Sequence, residues 1–435
     1  MVMRKSASVY LSLLILFQFS FGVTPPEPSD PWIKYQQAHR FSRAYLVLAG
    51  PYPSSPSSAF GHLFLLLEPA REDSVPMPLW RVVNFAARDD SVNAFEKFYK
   101  GILGGLDGEM QIVPLYEKLR DYSFIESRDL WLFPIRLTTE QSDVLLRLIY
   151  QLSTKKFPYR FFSNNCATQI ANLLQSCVAT NKTGQRSPRD VIYHFANYLD
   201  EPIIIESVEK QLQKIKGAEA IEASWKTSSA PPDARSARIL LTILEWKLFQ
   251  NKIDMNVGLR EKMNALRLVL AQTEPDPTLT TRVISQPFHM HPPSLLSVGM
   301  ASGVNERIDT RLTTRMGLHS PFDGIGIYSK YDFLKFMEFE IAIRRGIVQL
   351  ERFLIFDQIS TPPATFLSRR PSWRFVLGAQ RDRQLPGNSL LSGITLGYGY
   401  AAQTFRKKIS AALMLEAISG YSRKTGYNLL TEPVM

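Results

Sequence analysis

Hydrophobic and polar positions divide the chain into three stretches with different periods. From residue 32 to about 200, short apolar runs alternate with helix-spaced segments. Arg43–Ala49, Gly61–Glu68 and Trp80–Ala86 read as strands, the last with Asn84 in its middle, and 109–114 and 129–137 suggest two more. Asn93–Gly101 places Phe95, Phe98 and Tyr99 at helical spacing and closes on a glycine. Thr139–Leu152 reads as a helix whose start, Thr138 or Thr139 ahead of Glu140 and Gln141, forms a capping box. Ile170, Leu173, Leu174, Cys177 and Val178 mark a further amphipathic helix that starts near Cys166. The class expected for 32–200 is α+β.

From 201 to about 285 the pattern turns helical and polar, with amphipathic segments at Ala237–Phe249 and Val257–Gln272 bracketed by Pro231-Pro232 and Pro275. This reads as a helical linker without chemistry of its own. From 292 to 435 short alternating stretches recur: Leu295–Ser302, Asp309–Gly317, Gly324–Phe333, Met337–Arg344, Ile347–Phe356, Trp373–Arg381, Leu391–Ala401 and Lys408–Ser419. Their length of about 8–11 residues suits a membrane-spanning β-strand. Arg311, Arg315, Lys330, Lys335, Arg344 and Arg345 would then face the lumen or the rims. The expectation is an antiparallel β-rich, barrel-like domain of eight strands, the smallest closed outer-membrane barrel. A soluble sheet or sandwich fits the composition equally well, and the chain stops at Pro433-Val434-Met435 without a terminal aromatic strand.

A chain of 435 residues exceeds one ordinary core, so two or three domains are expected. Residues 1–22 read as an export signal. Arg4 and Lys5 precede an apolar run from Val9 to Phe19, and Ser20-Phe21-Gly22 offers a cleavage point. The run is short for a membrane span, and no cysteine follows it, so a lipoprotein anchor is not expected. Net charge is +11, dispersed along the chain and without any zinc-finger, helix-turn-helix or RNA-binding signature. That balance suits an anionic membrane surface better than nucleic acid.

The chemistry concentrates at Asn164-Asn165-Cys166-Ala167-Thr168, where a thiol sits at the first turn of a helix. Unpaired N–H groups and the helix dipole favour the thiolate there, so an ionised sulfur is expected at neutral pH. An inert core cysteine is the plain alternative. Asn164 or Asn165 would cap the helix, or line an oxyanion site together with backbone N–H groups. Cys177, eleven residues on, would lie about 16 Å away on the same helix, out of disulfide reach. Of six histidines, His62 is the best base, because it opens an apolar strand behind Gly61. His39 reads as solvent-facing and His194 as packed core. Neither His-x-x-x-His nor paired Cys/His spacing occurs, so no metal site and no cofactor is expected.

Phe60-Gly61-His62, Val83-Asn84-Phe85 and Asn164-Asn165-Cys166-Ala167-Thr168 together resemble the Lnb-type periplasmic domain of Gram-negative bacteria, over roughly residues 35–200. The Asn-Asn-Cys-Ala-Thr block is the specific part. The resemblance implies a circularly permuted papain-like fold, related to lecithin:retinol-type acyltransferases, with its histidine strand ahead of its cysteine helix. It implies a lipoprotein N-acyltransferase, with Cys166 as the acyl-accepting nucleophile, His62 as base and Asn84 as the group orienting the imidazole. Lipid or lipoprotein substrates, a membrane and a periplasmic or outer-membrane location follow from it. A thiol peptidase or amidase acting on cell-wall peptide, and a non-catalytic outer-membrane structural protein, are the competing expectations.

Overall fold

The computed structural model describes residues 30–52, 58–70, 75–88, 100–101, 104–161, 163–178, 180, 187–227, 231–272, 288–301, 309–320, 323, 326–344, 346–382, 389–403, 410–423 and 426–434. The expected export signal at 1–22, and most of the expected helix Asn93–Gly101, lie outside these residues.

The N-terminal region is α+β. Strands β1 (Phe41–Ala49), β2 (His62–Pro69), β3 (Arg81–Ala87), β4 (Leu106–Pro114), β5 (Leu130–Ile135), β6 (Lys156–Tyr159) and β7 (Ile203–Ile205) form one antiparallel sheet in the order β6-β4-β3-β2-β1-β5-β7. The middle strands are apolar at nearly every position because both faces of the sheet are covered. On one face Leu46, Leu48, Leu63 and Leu65 pack under three helices, α3 (Thr139–Leu152), α4 (Cys166–Val178) and α5 (Pro188–His194). On the other, Tyr45, Val47, Phe64 and Leu66 meet Trp80, the short α2 (Leu115–Lys118) and the π-helical turn Leu119–Ile125 that continues it. Helix α1 (Asp30–His39) lies against α3 through Trp32, Tyr35 and Tyr150. The expected capping box is present: Thr138 Oγ1 accepts from the Gln141 amide, and Gln141 returns the bond to the Thr138 amide.

The segment read as a helical linker begins with a strand instead. Ile203–Ile205 pairs with β5 and closes the sheet edge, because three consecutive β-branched residues find an open strand beside them. Helices α6 (Val208–Lys214), α7 (Ala218–Thr227), α8 (Ala234–Phe249) and α9 (Val257–Ala271) follow, packed on one another around Ile239, Ile243 and Trp246.

Strands β8 (Leu295–Ala301), β9 (Asp309–His319), β10 (Asp332–Arg344), β11 (Ile347–Ser360), β12 (Ser372–Asp382), β13 (Ser389–Gln403), β14 (Ser410–Ser422) and β15 (Gly426–Val434) form an antiparallel meander, each paired with the next. The expected barrel is not closed: among the described residues no ladder joins β8 to β15. These edge strands have 7 and 9 residues, against 15 in β13. The eight strands are also not the eight expected. Within the expected strand Gly324–Phe333, residues 326–331 form a turn, held by Ser329 Oγ, which accepts from the Tyr331 amide and donates to Asp332. Gly426–Val434, where no strand was expected, is an edge strand, and there the missing N–H of Pro433 is tolerated.

The polarity of this sheet is inverted. Glu338, Glu340, Glu351, Asp357 and Glu416 are buried on its inner face and joined by Arg311, Arg344, Arg352, Arg374 and Arg381. Leu296, Val298, Met300, Leu396, Tyr398, Leu413 and Leu415 stand on the outside, each more than half exposed. One end of the inner face is apolar and meets the N-terminal region: Phe336 and Phe356 join its core, and Phe60 lies against Gly317, where even a Cβ would come to 3.2 Å of the ring.

Candidate active site

His62 opens β2 and Asn84 lies in β3. The register pairs Phe64 with Asn84, so His62 is two residues along, on the same face and in diagonal reach. Its Nε2 meets Asn84 Oδ1 at 2.6 Å. An amide oxygen can only accept, so Nε2 carries the proton and Nδ1 is left as the basic nitrogen. Behind the ring sits Tyr122 from the π-helical turn, centroid to centroid 6.0 Å. Burial, with the positive charges of Arg128 and Lys118 nearby, pushes the His62 pKa down to about 4, against the Asn84 bond. The imidazole is neutral at physiological pH, as a general base requires.

Cys166 is the first residue of α4 and is 6% exposed. Its sulfur packs with Phe85, Leu106 and Tyr159, with Phe157 and Phe161 alongside. The backbone N–H groups of Leu63, Ala167 and Cys166 itself favour the thiolate, as does Arg128. Leu63 directly follows His62, so the sulfur lies at the start of the histidine strand. Burial nevertheless outweighs these groups and raises the thiol pKa. The expected resting thiolate is thereby corrected. The helix terminus was read rightly as a source of N–H groups, but the aromatic cover was not legible, and desolvation of a full charge exceeds what oriented dipoles return. Cys177 is buried too, its pKa pushed up to about 12 by desolvation alone.

Asn165 is the helix cap: its Oδ1 accepts from the Thr168 amide at 3.0 Å and its Nδ2 donates to Phe161 O at 2.6 Å. Asn164 Nδ2 donates to Pro158 O, and its Oδ1 accepts from Gln169 Nε2, both at 2.5 Å. Both carboxamides therefore hold the loop that presents Cys166. The first N–H groups of α4 are the other donors expected for an oxyanion. Of the other histidines, His39 is partly exposed and stacks on Tyr35 at 3.9 Å, and His194 is half-buried rather than core.

Sequence reasoning missed Arg128 and Tyr122. Arg128 is 3% exposed, donates to Gly50 O at 2.6 Å and Ala49 O at 3.0 Å, pairs with Glu126 and covers the Tyr122 ring at 4.7 Å. It brings a fixed positive charge to both His62 and Cys166. Nothing in Ser127-Arg128-Asp129 signals this, since the carbonyls it satisfies lie 78 and 79 residues away.

Residues 33–198 match the family model described as the Lnb N-terminal periplasmic domain, and residues 285–430 match one described as a domain of unknown function (DUF7840). The first match points to an exported, periplasmic protein. No curated protein and no solved structure matches the chain.

Proposed function

We propose that the N-terminal domain is a thiol acyltransferase of permuted papain-like design, working at the periplasmic side of the outer membrane on lipid or lipoprotein substrates. The observation that carries this reading is the His62–Asn84 hydrogen bond on the strand whose next amide, Leu63, lies against the Cys166 sulfur. A neutral thiol and a neutral imidazole are a competent resting pair, because the proton needs to move only as the nucleophile attacks.

In the first half-reaction Cys166 Sγ bonds to the carbonyl carbon of an acyl ester while its proton passes to His62 Nδ1. The oxyanion forms against N–H groups at the start of α4. The ester C–O bond then breaks, the leaving oxygen takes the proton from His62, and a thioester remains. In the second half-reaction an amine attacks the thioester carbonyl. Its proton goes to His62 and on to the departing Cys166 sulfur, which restores the thiol. Asn84 keeps the imidazole in one tautomer through both steps.

The aromatic surroundings of the sulfur favour an acyl chain over a peptide as the group delivered. The inverted polarity of the C-terminal sheet supports a membrane location. A soluble sheet keeps its charges outside, whereas this one buries ion pairs beside its buried apolar residues and presents leucine, methionine and tyrosine outward, as a lipid-facing sheet does. Mass spectrometry of lipoprotein N-terminal peptides, from cells with and without the protein and with Cys166→Ala, tests the reading. Loss of N-acylation in the null and in the variant is expected. An unchanged acyl pattern with altered cell-wall peptides would favour the peptidase or amidase, and no phenotype of Cys166→Ala would favour a structural role.

A further inference from the structure

His291, His319 and Asp323 bring one ligand atom each to within 4.8 Å of one another, where the end of β9 meets the segment running alongside the N-terminal domain. Their hydrogen bonds leave a problem that no assignment of protons solves while both rings stay neutral. His291 Nδ1 lies 2.8 Å from the Pro292 carbonyl, which only accepts, so Nδ1 carries the proton and Nε2 offers a lone pair. That lone pair points at His319 Nδ1, 2.8 Å away. If His319 carries its proton on Nδ1, the bond is made, but its buried Nε2 is left as a lone pair without a donor, and the Ser329 backbone, whose bond favours the protonated ring, supplies none. If the proton is on Nε2, two lone pairs confront each other.

A cation between the two nitrogens removes the conflict in the second arrangement. A proton could fill that place only by charging a ring that is 1% exposed, at a cost in desolvation. A metal ion would gain three ligand bonds in the same place. Asp323 is prepared as the third ligand, because the Ser320 amide and Arg315 both bond to its Oδ2, at 2.7 Å each, and leave Oδ1 uncommitted. The ring planes are also fixed, with Tyr328 stacked on His291 at 4.2 Å and on His319 at 4.5 Å. In a tetrahedral site the two nitrogens would part from 2.8 Å to about 3.3 Å, a small adjustment.

We propose that His291, His319 and Asp323 bind a divalent first-row ion of the zinc class, independently of the thiol site. Imidazole and carboxylate are usual donors for such an ion, and His291 and Asp323 each have the outer atom hydrogen-bonded. The ion would fasten two regions. The segment bearing His291 is held to α5 by Arg189 Nε donating to Met290 O at 2.9 Å, while His319 and Asp323 belong to the C-terminal sheet and the turn after it.

The test uses the purified full chain, stripped with chelator and titrated with Zn²⁺ and Co²⁺. One equivalent should bind, with visible absorption of tetrahedral cobalt and a raised melting temperature in zinc. His291→Gln and Asp323→Asn should each weaken binding by on the order of tenfold or more. His291 is half-buried and Asp323 lies in a turn, so these variants are expected to fold, which circular dichroism checks. Binding that is absent in the wild type, or unchanged in both folded variants, would overturn the assignment. Because the readouts are metal binding and stability, failure of the acyltransferase reading leaves this result unaffected.

Discussion

Asn84 Oδ1 holds the Nε2 proton of His62 at 2.6 Å and thereby decides which imidazole nitrogen is basic. Two strands that are neighbours in the sheet but 22 residues apart in the chain supply the pair. Its strength is testable without a substrate. Asn84→Asp places a negative charge where the amide oxygen was, and an opposite charge favours the imidazolium. The His62 midpoint, followed by NMR, should rise from about 4 toward or beyond its ordinary value of 6.5. A midpoint that does not move would separate the two side chains in solution.

The same depressed pKa makes a prediction for stability. His62 titrates near 4 when folded and near 6.5 when unfolded, so between these values the unfolded chain binds the extra proton. Stability should be full above pH 6.5 and fall as the pH drops toward 4, where the loss levels off. The loss from this group is at most roughly 3 kcal/mol, less whatever solvent reaches the half-buried ring. Urea melts across that window, compared with His62→Gln, measure it; the variant should show the shallower slope.

Cys166 should behave as a covered thiol. Iodoacetamide at pH 7 should label it slowly, with the rate climbing at higher pH than for a free cysteine, because burial raises its pKa. Cys177, lacking any opposing N–H or charge, should react later still. Phe161→Ala removes one ring from beside the sulfur and should speed labelling of Cys166 while leaving Cys177 unchanged. Fast labelling of the wild type at pH 7 would mean that the aromatic cover opens readily.

The parts of this molecule legible in the sequence were those set by local pattern. The strands carrying His62 and Asn84, the capping box at Thr138 and the helix starting at Cys166 follow from apolar spacing and cap chemistry. The ionisation of Cys166 did not follow, since it depends on Tyr159 and Phe85 arriving from other strands. Arg128 was invisible for the same reason: its role lies in carbonyls far along the chain. In the C-terminal half alternation was read correctly, but turn chemistry at Ser329–Asp332 and the edge strand Gly426–Val434 displaced one strand each. His291 and His319 meet across 28 residues with no spacing motif between them, so their pairing required the fold.

The outward apolar face of the C-terminal sheet provides the last prediction. Leu413 and Leu415 alternate along β14 with Met414 and Glu416, and the leucines are each 62% exposed while Glu416 is 2%. Glu416 is ion-paired with Arg374. An exposed leucine is worth little to folding in water, so Leu413→Arg should leave melting in buffer nearly unchanged. Against a bilayer the same change costs ~2–4 kcal/mol at mid-depth and less near a rim. Flotation of the full chain with phosphatidylethanolamine/phosphatidylglycerol vesicles should therefore fall about tenfold or more for a Leu413→Arg, Leu415→Arg double variant. Glu416→Gln should do the opposite, keeping the lipid face but destabilising the fold, because Arg374 loses a charged partner in a buried network. Equal flotation of the arginine variant and the wild type would mean that this face does not meet lipid, and that something other than a membrane covers it.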